Sequence, residues 1–117
     1  MSIKRVELDA GRVDLRDVAS GRRVKPAHPG KVLRMEFLDP MGLSVYALAN
    51  AIKVARSRVN DIVRGRRSIT ADTALRLARF LGTSPELWVN LQASFDLEAA
   101  KDMSRKRIEK EVEPYAA

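Results

Sequence analysis

The residues Lys53 to Arg67, "KVARSRVNDIVRGRR", hold six cations and a single acid, Asp61. Arginine offers a planar fork of N–H donors that matches paired acceptors on a phosphate or a base edge. Asn60 carries a donor and an acceptor side by side, and Ser57 and Ser68 add short hydroxyls. Such a set recognises a polyanion; it does not make or break bonds. The remainder of the chain offers little reaction chemistry. With no cysteine there is no disulfide framework and no thiolate metal site. His28 is the only histidine, and no cluster of carboxylates accompanies it. No glycine-rich phosphate loop follows a strand. The expectation is a protein that is not an enzyme and uses no metal or cofactor. The chain has a net charge of +7 over 117 residues. Residues 26–98 carry ten basic and seven acidic side chains, so outside Lys53 to Arg67 that block is net negative. A basic focus on such a background points to a nucleic acid more than uniform basicity does, and the plain alternative is a solvated helix face.

Those cations must be positioned by helices. The apolar content is mostly aliphatic, and the spacing predicts a five-helix, all-α domain over residues 26–98. Pro29 suits the first position of helix 1, which runs to Leu38 with Leu33 and Phe37 on one face. Pro40 disfavours helix at Asp39 and Gly42 permits a turn, so the helix is expected to break there. Ser44 caps helix 2, where Val45, Leu48, Ala49 and Ile52 follow at i, i+3, i+4, i+7. Helix 3 starts near Ala55 and ends at Gly65. Thr70 caps helix 4, with a core stripe of Ala71, Ala74, Leu75, Ala78 and Leu81. Helix 5 follows Thr83 or Ser84, with Leu87, Trp88, Leu91 and Phe95 at helical spacing. Residues 99–117 form a charged tail that continues as helix, aided by Arg105–Glu109 and Arg107–Glu111 pairs, until Pro114. Residues 1–25 hold short alternations, Val6-Glu7-Leu8 and Val13-Asp14-Leu15, too short for an independent hairpin. They read as a flexible arm, mobile or ordered by a partner. No apolar run approaches the roughly 20 residues of a membrane span. No secretory signal is expected, which fits a cytoplasmic protein.

The turn from helix 2 to helix 3, Ile52-Lys53-Val54-Ala55, is short enough to force a steep crossing. Val59 and Ile62 bury helix 3 from below. Arg56, Ser57, Arg58, Asn60, Asp61 and Arg64 are left facing outward. Arg can pair with guanine O6 and N7, and Asn with adenine N6 and N7, when a helix N-terminus enters the major groove.

The segments "HPGKVLRMEFLDPMGLS", "RVNDIVRGRRSITADTALRLARFLGTSPELWVNLQ" and "DLE" resemble HigA-type antitoxins of the VapI family, which carry an Xre/Cro-type, lambda-repressor-like helix-turn-helix. The resemblance spans His28 to Glu98. It implies that Arg56, Ser57, Arg58 and Asn60 face bases or nearby phosphates. Asp61 would accept from cytosine N4 or orient a neighbouring arginine. Ser44 would touch the DNA backbone. Arg64, Arg66, Arg67 and Ser68 would clamp flanking phosphates, and Thr70 would cap helix 4 and face the DNA. Leu87, Trp88, Leu91 and Phe95 would divide between the core and a homodimer contact. Three positions depart from the family pattern: Lys53 replaces a turn glycine, Ala55 replaces Ser or Pro at the cap, and Val45 replaces a glutamine.

The function implied is a DNA-binding antitoxin and autorepressor. It would act as a homodimer on double-stranded DNA, a palindromic operator in its own promoter, and neutralise a cognate HigB-type toxin, a RelE-like mRNA endonuclease. The nearest rival is a stand-alone Xre-type repressor without a toxin. A small basic RNA-cleaving enzyme would need a strand-rich fold, against which the helical periodicity argues. A pure protein-interaction module would leave its own promoter unbound.

Overall fold

The computed structural model describes residues 25–116; the arm expected over residues 1–25 lies, except for Lys25, outside the described residues. Helix α1 comprises Pro29–Val32, a π-helical stretch Leu33–Leu38 and a last turn Asp39–Met41. It is followed by α2 (Val45–Ile52), α3 (Arg56–Val63), α4 (Ala71–Leu81) and α5 (Pro85–Glu111). No strand occurs among the described residues.

Helix α1 does not break at Asp39. It runs through Pro40 and stops at Gly42, which adopts a left-handed conformation with φ 62°. The π stretch explains the difference. Its wider turn carries the Asp39 N–H to the Arg34 carbonyl, five residues back. A proline in a regular helix forfeits a bond and drives its ring into the carbonyl four residues earlier. A wide turn just before Pro40 relieves that crowding, and it brings Leu33, Phe37 and Leu38 all into the core.

The core is a single cluster around fully buried Trp88 and Phe37, whose rings meet at 5.4 Å. Leu48, Ala49 and Ile52 of α2 enter it, as do Val59 and Ile62 of α3. On α4 the expected stripe is shifted. Thr73, Ala74, Leu77, Ala78 and Leu81 are buried, whereas Ala71 and Leu75 are exposed. The Thr70 and Thr73 hydroxyls meet at 3.3 Å, which lets a polar residue turn inward. Trp88 is anchored at its polar edge, where Nε1 donates to the Thr83 hydroxyl at 2.8 Å. Helix α5 is continuous from Pro85 to Glu111, and its far half carries the two expected arginine–glutamate pairs.

Candidate nucleic-acid interface

Helix α3 is held by its far end. Gly30 of α1 lies against the backbone of Ile62, so closely that a Cβ there would overlap the carbonyl oxygen. The chain leaving α3 is tied down in three places. Gly65 turns with φ 78° and donates its N–H to the Ile62 carbonyl. The Arg66 N–H donates to the Asp61 carbonyl at 2.8 Å. The Ile69 N–H donates at 2.8 Å to Gln92 Oε1, a buried amide on α5 that in turn donates to Asp96. Gln92 is a buried polar anchor that the sequence reading passed over, since it interrupts an apolar run without a motif around it.

The near end of α3 is built differently. The turn before it holds Lys53 at φ 60°, ψ 45°, and Lys53 is the only non-glycine residue at positive φ among the described residues. The Lys53 and Val54 N–H groups both reach the Ala49 carbonyl, which closes α2. Arg76 of α4 adds a third tie, with Nη1 donating to the Ile52 carbonyl at 3.0 Å while its Nε donates to Asp72. Ala55 sits at the cap position with no side-chain bond to α3. The first turn of α3 therefore projects with its positive dipole end uncapped, a setting that favours anions.

Val45, Arg56, Ser57 and Asn60 line one shallow concavity between the start of α2 and the start of α3. Arg56 and Ser57 are exposed, and Arg58, Asn60 and Asp61 are half-buried. Arg58 does not border the concavity. The Arg56 guanidinium lies over the ring of Tyr46, 5.4 Å from its centroid. Tyr46 escaped the sequence reading because no helical periodicity marks an exposed aromatic on a first turn. Asp61 pairs with Arg67 at 3.5 Å. Arg64, Arg66 and Ser68 are exposed around the C-terminal turn of α3. Ser44 caps α2, its hydroxyl accepting the Ala47 N–H at 3.0 Å, and Thr70 caps α4 in the same way.

The apolar residues expected at a dimer contact fall into two sets. Leu87 and Trp88 are 3% and 0% exposed, so they belong to the core of the chain and leave no surface for a dimer contact. Leu91 and Phe95 are half-buried, and Phe95 meets the edge of His28 at 4.9 Å. His28 itself caps α1, with Nδ1 accepting the Gly30 N–H at 2.9 Å. Burial lowers its pKa from the ordinary 6.5, while the nearby Asp96 carboxylate pulls in the opposite direction. Among the described residues no helix is long and apolar enough to cross a membrane.

Two short helices crossing at a tight turn, the second with an outward polar face, define a helix-turn-helix protein. The helix-turn-helix family model (HTH_3) matches residues 35–88. Virulence-associated protein I of Dichelobacter nodosus is 52% identical over 85 residues, 72% of this chain and 79% of that protein. Antitoxin HigA-1 of Vibrio cholerae is 42% identical over 73 residues, 62% of this chain and 69% of that protein. The Pseudomonas aeruginosa antitoxin HigA, solved with the higBA promoter, superposes with a TM-score of 0.74 at 48% identity, covering 78% of this chain and 99% of that one. The chain belongs to the helix-turn-helix family of HigA-type antitoxins.

Proposed function

We infer that this protein is a sequence-specific DNA-binding antitoxin that represses its own operon. The observation that carries the reading is the concavity at the start of α3, where Arg56, Ser57 and Asn60 project from an uncapped helix N-terminus. In that geometry the first turn of α3 enters the major groove. Arg56 and Arg58 address guanine edges or adjacent phosphates, and Asn60 addresses adenine. Ser44 and Thr70 present the N-termini of α2 and α4 to the DNA backbone. Arg64, Arg66, Arg67 and Ser68 bind flanking phosphates, with Asp61 steering Arg67. Phosphate contacts supply affinity through counterion release, and α3 supplies the choice of sequence.

Two protomers place their α3 helices in successive major grooves, about 34–36 Å apart, on a palindromic site. Leu91 and Phe95, the accessible part of the α5 stripe, serve the contact between them. The second role, neutralising a HigB-type toxin, follows from the family. A titration of the protein's own promoter tests the DNA reading. Arg56→Ala with Arg58→Ala is expected to weaken specific binding on the order of 100-fold or more, at an unchanged melting temperature. Unchanged binding would remove α3 as the reader. Light scattering of the free protein is expected to give a dimer. Co-expression with the open reading frame upstream separates an antitoxin, which retains a bound toxin, from a repressor that works alone.

A further inference from the structure

Arg56 stands at the first position of α3, where a long side chain would ordinarily sample many rotamers. Here the crossing of α2 and α3 brings it over Tyr46, ten residues earlier in the chain, with its guanidinium 5.4 Å from the ring centroid. That is within the range at which a cation is attracted to the face of an aromatic ring. Tyr46 is 58% exposed and contributes nothing to the core cluster, so packing does not account for an aromatic residue there. Its neighbour Val45 forms the wall of the same concavity that Arg56, Ser57 and Asn60 line. The ring thus meets the arginine from beside the concavity and does not line it.

We propose that Tyr46 is a positioning residue for base recognition: its ring holds the Arg56 guanidinium at the mouth of the concavity and so sets the preference for guanine at one position of each half-site. This rests on α3 being the reading helix. The physical basis is preorganisation. A bidentate arginine–guanine contact requires the guanidinium plane to lie in the plane of the base, and a side chain already confined loses less freedom on forming it. Phosphate contacts need no such plane. Loss of the ring is therefore expected to lower discrimination among sequences while leaving the salt dependence of binding in place.

The test uses the full-length protein and its own promoter, titrated against a scrambled duplex of equal length and against duplexes with single guanines replaced. Tyr46→Leu should reduce the ratio of specific to scrambled binding about five- to a hundred-fold, the effect of leaving one long side chain in each protomer of a dimer to be ordered on binding. The same variant should keep the slope of binding against salt, and its melting temperature should fall by only about 2–8 °C, the cost to the fold of one exposed cation–π contact. Tyr46→Phe should retain the wild-type ratio, because the ring remains. With Arg56→Ala already present, Tyr46→Leu should have no further effect on the ratio. A Tyr46→Leu protein with the wild-type ratio overturns the proposal and leaves α3 as reader. A loss in Tyr46→Phe equal to that in Tyr46→Leu also overturns it, since the hydroxyl and not the ring would then be at work. Wild-type protein with no preference for its promoter overturns both readings.

Discussion

Replacing Lys53 by glycine is expected to stabilise the protein. Lys53 is held at φ 60°, ψ 45° because the Lys53 and Val54 N–H groups must both turn back to the Ala49 carbonyl. A residue with a Cβ in the left-handed region costs about 1–2 kcal/mol. Glycine escapes that strain but loses more chain entropy on folding, by roughly 0.5–1 kcal/mol. The difference leaves a net gain of about 0.5–1 kcal/mol for Lys53→Gly. For a domain of this size that corresponds to a rise of about 2–8 °C in melting temperature. The side chain is exposed, so the removed cation needs its own control. Lys53→Ala removes the same charge and keeps the Cβ, and it should stay within about 0.5 kcal/mol of wild type. Thermal melts at one fixed protein concentration, with urea midpoints at unchanged slope, measure all three proteins. If Lys53→Gly melts at or below the temperature of Lys53→Ala, the strain argument at this turn is wrong.

Gly30→Ala should destabilise the fold by about 3 kcal/mol, read from urea unfolding, because its Cβ would overlap the Ile62 carbonyl and force α1 away from α3. Stability should fall on acidification. Burial keeps the folded-state pKa of His28 below 6.5 against the pull of Asp96, so the unfolded chain binds the proton more tightly. The contribution is therefore complete above the unfolded value and is lost as pH falls through the lower folded one. Urea midpoints between about pH 7.5 and about pH 5 should show this, and His28→Asn, which can still cap α1, should flatten that part of the profile. Arg66→Ala with Arg67→Ala should weaken specific and scrambled DNA alike. The same change should lower the log–log salt slope by about 2 per protomer in a fluorescence titration.

The caps were legible because each is a local event. Ser44, Thr70 and Ser84 all accept an N–H from the residue three positions on, whatever surrounds them. The outward face of α3 was legible by subtraction, since Val59 and Ile62 leave only one way for the helix to turn. The phase of α4 was not legible in the same way. Alanines at 71, 74 and 78 fit two neighbouring stripes, and the choice of Leu77 over Leu75 belongs to the partners that α4 meets in space. The break assigned at Pro40 failed for a related reason. The rule against proline describes a regular helix, and the π stretch before it changes the carbonyl it would strike. Tyr46 and Gln92 depend on partners 10 and 23 residues away, Arg56 and Ile69 respectively, and no local pattern announces such contacts.

The two ends of α3 are held differently. Its C-terminal end is clamped by the Gly30 approach, the Asp61 bonds to Arg66 and Arg67, and the Gln92 tie to Ile69. Its N-terminal end has no side-chain cap and follows a residue in a strained conformation. A cap at Ala55 would add about 1 kcal/mol. A glycine at Lys53 would add a further fraction of that. Both changes would stabilise the fold, and both lie within the turn that joins α2 to α3. On the proposed reading, the clamped end fixes where the helix enters a groove, and the uncapped end carries the residues that meet the bases. On this argument Ala55→Ser and Lys53→Gly together should raise the melting temperature. Of the two, Ala55→Ser should also narrow the range of operator variants that the protein binds, because a capped first turn tolerates fewer displacements of the bases it meets. Melting curves combined with binding to a library of single-substitution operators measure both effects. A more stable double variant with an unchanged tolerance would show that the turn stores strain without any effect on recognition.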